Sequence, residues 1–98
     1  MTEEKNNPDD VLELVMFRLK EDTDPIQFVA AAGELEQLLV SQIPGFLRRT
    51  LMCTNDGTSW TDLIFWRDMQ SALSALKHLP TTVEFKSFVS MIDPKDIV

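Results

Sequence analysis

The chain has 98 residues and a mass of 11.2 kDa, enough for one compact domain with a small core, so pairing with a second copy is a natural way to bury more apolar surface. Its 44% hydrophobic and 26% charged residues suit a globular domain, and no apolar run approaches the roughly 20 residues that a membrane helix needs. One cysteine, Cys53, excludes an intrachain disulfide and a cysteine-based zinc site. The polar, acidic start MTEEKNNPDD reads as neither a secretory signal nor a transit peptide, and together these features predict a reduced, cytoplasmic protein.

Sixteen acidic against nine basic residues give a net charge of −7. Phosphate neutralisation needs clustered Lys and Arg, and the one adjacent basic pair, Arg48-Arg49, points to opposite faces of a strand. Nucleic acid and anionic membranes are therefore not expected partners.

Residues 1–10 have no hydrophobic side chain after Met1 and read as a disordered leader; residues 11–98 read as a single domain. In VLELVMFRLK (11–20) both alternating sets are mostly apolar, with Val11, Val15, Phe17 and Leu19 on one side and Leu12, Leu14 and Met16 on the other. A strand buried on both faces has this pattern. Asp24, Pro25 and Gln27 then form a helix-start signal, and Pro44-Gly45 a stop, which predicts a helix at about 25–41. Its expected apolar face is Ile26, Val29, Gly33, Leu35, Leu38 and Leu39.

Strands are predicted at 46–54 and 59–67, joined through Asn55-Asp56-Gly57-Thr58, where Asp-Gly suits a hairpin turn. The return strand puts Trp60, Asp62, Ile64 and Trp66 on one face and Thr61, Leu63 and Phe65 on the other. Asp68 is the expected cap of a second helix, with Met69, Ala72, Leu73, Leu76 and Leu79 as its stripe and Pro80 as its end. Thr81 and Glu84 suggest a short helical turn through Phe85, and SFVSMID (87–93) reads as a last strand.

Strand, helix, strand, strand, helix, strand is the ferredoxin-like βαββαβ plan, an α+β fold with an antiparallel sheet and both helices on one face. The strands offer few residues that favour water on either side. Two layers alone would leave a large apolar patch, so the other face is expected to pack on a second copy, giving a homodimeric α/β barrel.

Pro44-Gly45-Phe46, Arg49, Asp56-Gly57, Trp60-x-Asp62-x-x-x-Trp66, the alanines of the second helix and Ile92-Asp93-Pro94 resemble the antibiotic biosynthesis monooxygenase-like family of the dimeric α/β-barrel superfamily, over about residues 11–96. The resemblance implies the same fold and dimer, with a ligand pocket inside each protomer between helices and sheet. It leaves activity open, because the superfamily includes cofactor-free monooxygenases, haem-degrading enzymes, isomerases, decarboxylating enzymes and members with no assigned role. It also implies that Arg49 and Asp62 are a structural pair. Where haem-degrading relatives have an asparagine, a tryptophan and a ligating histidine, this chain has Met16 or Phe17, Leu76 and about Lys86, so haem chemistry is not expected.

The candidate site residues each have two readings. Trp66 is either a wall on which an aromatic ligand stacks or a core tryptophan at a strand–helix junction; Trp60 is weighted toward dimer packing. His78, the only histidine, is the candidate general base for a phenol or enol, or a surface cation favouring the end of the second helix. Whichever of Arg48 and Arg49 turns inward would clamp a planar anion or pair with Asp62 on the neighbouring strand; Arg48 is taken as the ligand-binding member. Met16, Met69 and Leu73 are the remaining candidates for a pocket wall, since methionine adapts to irregular ligands as readily as to core gaps. Cys53 is expected to be a buried apolar residue. One His and one Cys, with no glycine-rich phosphate loop, predict no metal and no nucleotide cofactor.

The resulting expectation is a homodimer binding a small apolar or aromatic molecule. One reading gives it cofactor-independent monooxygenase chemistry on an aromatic or enolisable substrate. The other makes it a non-enzymatic binding, sensor or structural module.

Overall fold

A computed structural model describes residues 8–96; most of the expected leader lies outside the described residues. Three strands, β1 (Val11–Phe17), β2 (Phe46–Cys53) and β3 (Trp60–Trp66), form an antiparallel sheet in the order β1-β3-β2. Helices α1 (Pro25–Gln42), α2 (Met69–His78) and α3 (Val83–Ser90) cover one face. The order of the first five elements and the ferredoxin-like class agree with the sequence pattern; the sixth element does not. No helix among the described residues is long and apolar enough to cross a membrane.

Local chemistry accounts for the ends of the elements. Asp24 accepts a hydrogen bond from the Ile26 N–H (2.9 Å) and Asp68 from the Ser71 N–H (2.7 Å), satisfying donors that a helix start leaves open. The Ser71 N–H holds the Asp68 carboxyl below the usual carboxylate range. In the hairpin, Gly57 takes a positive φ of 73° and its N–H donates to the Thr54 carbonyl at 2.8 Å. The hydroxyl of Thr54, followed by the backbone N–H and hydroxyl of Thr58, donates to Asp56 and lowers its pKa to about 2.

Gly45 has a φ of 84°, and a Cβ built there would collide with the Ser71 side chain. Its carbonyl meanwhile accepts from the Arg67 N–H at 2.7 Å, so the turn cannot simply move away. Gly45→Ala is expected to cost about 1–3 kcal/mol, from the left-handed backbone and the clash together, read as a lower urea midpoint.

The last strand is not formed. Residues 83–90 are helical because Thr82, rather than Thr81, caps the element, its hydroxyl accepting from the Phe85 N–H at 3.2 Å. Phe85, Phe88, Val89 and Ile92 then fall at i, i+3, i+4 and i+7, a helical period that the seven residues 87–93 are too short to distinguish from a strand. What remains of the fourth strand is a bridge between Leu19 and Ile92 beside the end of β1, with Lys20 N–H on the Met91 carbonyl (2.9 Å) and Asp93 N–H on the Arg18 carbonyl (2.8 Å).

The helix stripes are also offset from expectation. On α1 the buried residues are Phe28, Ala31, Ala32, Leu35, Leu38 and Leu39, whereas Ile26 and Val29 are exposed. Phe28 displaces them because it anchors an aromatic cluster, with ring centroids 5.7 Å from Phe17, 4.9 Å from Trp60 and 5.0 Å from Phe88. Trp60 is thus buried on the helix side, away from the face where dimer packing had been expected. On α2 the small residues Ser71, Ala72 and Ala75 face the sheet, and Met69, Leu73 and Leu76 are largely exposed. Cys53, expected to be buried, is exposed at the end of β2.

Candidate functional site

The strand register decides which side chains face the helices. Glu13 lies opposite Ile64, Val15 opposite Asp62 and Arg49 opposite Ile64, so these share the helix-side face with Trp60 and Trp66. A bulge between Phe46 and Arg48 shifts the phase of β2 and sends Arg48 to the other face, opposite Phe65.

Between this face and the helices is a cavity of about 280 Å³. Its walls come from β1 (Glu13, Val15, Phe17), β2 and β3 (Arg49, Asp62, Ile64, Trp66), and inward residues of all three helices, including Leu39, Ala72 and Phe88. Nearly all of the lining is apolar, as a pocket for a small apolar molecule requires.

Two polar arrangements interrupt it. Arg49 Nε donates to Asp62 Oδ1 at 2.8 Å and Nη2 to Oδ2 at 2.7 Å, while Nη1 donates to the Ala32 carbonyl of α1 at 2.9 Å. These side chains are 1% and 5% exposed, and the guanidinium also lies 5.0 Å from the Phe88 ring centroid. The fork geometry leaves both charges matched and joins sheet to helix. The second arrangement is Trp66 Nε1 donating to Glu13 Oε1 at 2.9 Å.

Of the residues singled out from the sequence, Trp66 lines the cavity. Arg49, rather than Arg48, is the inward arginine; Arg48 stacks on the Phe65 ring at 3.9 Å on the opposite face, where Met16 also lies. Met69 and Leu73 project from the outer side of α2 and are exposed. His78 is exposed at the end of α2 and borders a second, more open depression of about 320 Å³ with Asp68, Ser71 and Ser74. The structure therefore brings Trp66 and the Arg49–Asp62 pair to the cavity, and leaves Arg48, Met16, Met69, Leu73 and His78 outside it.

Glu13 was not among the candidates. Its signal was nevertheless present: it is the one charged residue in VLELVMF, on the same alternating side as Val11, Val15 and Phe17. A polar side chain on a core-facing position is the informative kind of exception.

No protein-family model matches the sequence, and no curated protein matches it. Solved structures do. The cofactor-independent oxygenase SnoaB from Streptomyces nogalater superposes with a TM-score of 0.75 at 20% identity, over 87% of this chain and 85% of that one. A candidate antibiotic biosynthesis monooxygenase from Nitrosomonas europaea gives 0.69 at 13% identity, over 92% and 85% of the two chains. A dimeric ferredoxin-like protein of unknown function from Jannaschia sp. CCS1 gives 0.66 at 15%, over 91% and 93%.

The fold is that of the antibiotic biosynthesis monooxygenase-like proteins. In this chain the antibiotic biosynthesis monooxygenase-like fold places the cavity between helices and sheet, with Trp66, Glu13 and the Arg49–Asp62 pair in its wall.

Proposed function

We propose that this protein is a cytoplasmic homodimer that binds a small apolar or aromatic molecule and acts as a cofactor-independent monooxygenase on an aromatic or enolisable substrate. The observation that carries the reading is the apolar cavity bounded by Trp66 and holding a carboxylate, in a fold shared with the oxygenase SnoaB. Loss of a proton turns such a substrate into an electron-rich enolate or phenolate, which reacts with dioxygen without a cofactor. At a methylene carbon, CH2 plus O2 gives C=O plus water, the substrate supplying the electrons. The indole face of Trp66 would support a planar ring during this step.

The homodimer is supported by the uncovered face of the sheet. There Leu12 (51% exposed), Leu14 (49%) and Met16 (43%) stand beside Leu63, Phe65 and Met52. A patch of this kind is an interaction surface in a folded protein.

The test is dioxygen consumption by purified protein with a panel of phenols and enolisable aromatic ketones, no cofactor being added. Protein-dependent uptake with an oxygenated product is expected. Saturable binding without uptake across the panel would favour the non-enzymatic binding module instead.

A further inference from the structure

Among the cavity lining, Glu13, Arg49 and Asp62 are the ionisable side chains. Arg49 spends Nε and Nη2 on Asp62 and Nη1 on Ala32, and both Asp62 oxygens accept from it. The Trp66 N–H is spent on Glu13 Oε1. This leaves Glu13 Oε2 as the carboxylate oxygen in the wall with no hydrogen-bond partner among the described residues. The cavity consequently offers a ligand one strong acceptor, no free cation and an otherwise apolar surface.

We infer that Glu13 is the hydrogen-bond and proton acceptor of this cavity, and that the cavity selects neutral weak acids such as phenols and enols while rejecting carboxylates. The inference deepens the proposed function and rests on the cavity being its ligand site. A ligand O–H or activated C–H donates to Glu13 Oε2. In the proton transfer that bond breaks, the proton passes to Oε2 and the electron pair stays on the ligand as phenolate or enolate. The cavity's net charge is unchanged by this step, because the negative charge moves from Glu13 to the ligand. A carboxylate ligand would instead bring a second negative charge beside Glu13, with Arg49 already matched by Asp62. The indole N–H on Oε1 orients the carboxylate, making Trp66 a positioning residue as well as a wall.

Calorimetric titration with 2-naphthol, 2-methoxynaphthalene and 2-naphthoate tests this without relying on turnover. The wild-type protein is expected to bind 2-naphthol at least about 100-fold more tightly than 2-naphthoate. Glu13→Gln, which keeps an oxygen for Trp66 but removes the charge, should weaken 2-naphthol about 10- to 100-fold and bring the naphthoate closer to it. Glu13→Asp keeps the charge and should still reject 2-naphthoate, which guards against misreading a folding defect. Equal affinity of the wild type for all three compounds, no binding of 2-naphthol, or an unchanged naphthol affinity in Glu13→Gln would overturn the inference. Glu13-dependent naphthol binding without dioxygen uptake by any panel member would uphold it and remove the oxygenase reading alone.

Discussion

Asp62→Ala is expected to cost about 3–5 kcal/mol of folding stability, because it strands the Arg49 guanidinium in a buried site. The Arg49 side chain is 1% exposed, and its remaining hydrogen bond, to the Ala32 carbonyl, does not neutralise it. A loss of that size is a large fraction of the roughly 5–15 kcal/mol that stabilises an ordinary domain. Urea unfolding at fixed protein concentration measures it. The double variant Arg49→Met/Asp62→Leu is expected to recover most of the loss, since an apolar pair of similar volume carries no desolvation penalty. If Asp62→Ala lost less than about 1 kcal/mol, the pair would have to be far better hydrated than its burial indicates.

Leu14→Glu is expected to convert the proposed homodimer into a monomer of 11.2 kDa in native mass spectrometry. Leu14 pairs with Leu63 near the middle of β1 on the uncovered face, so its substitution would place a carboxylate inside an apolar interface. In a two-fold dimer the change is made twice. Val40→Glu, at an exposed position on α1, is the matched control and should leave the mass at about twice that of the chain. A dimer that survives Leu14→Glu would place the interface elsewhere.

Much of the architecture was legible in local patterns. The alternation in 11–17 and 60–66 separated helix-facing from uncovered residues; Asp24 and Asp68 announced helix starts, and Asp-Gly the hairpin. These signals are short-range: a strand's period of two and a cap's hydrogen bond are complete within a few residues.

The candidate site was less legible because its membership depends on register and on which helix face wins the core. The bulge at 46–48 puts Phe46 and Arg49 on one face although they are three residues apart, and alternation alone could not choose between Arg48 and Arg49. On α2, residues 69, 73 and 76 had the apolar period, yet the closest packing on the sheet fell to Ser71, Ala72 and Ala75, which allow the helix to approach. By itself, then, the amino-acid sequence determined the order of the first five elements, the two faces of β1 and β3, and the apolar surplus on which the proposed dimer rests. Only tertiary structure decided that residues 83–90 are a helix, that Arg49 rather than Arg48 is the arginine turned inward onto Asp62, and that Glu13 meets Trp66, fifty-three residues away, because each of these depends on register or on a contact between segments that no local pattern encodes.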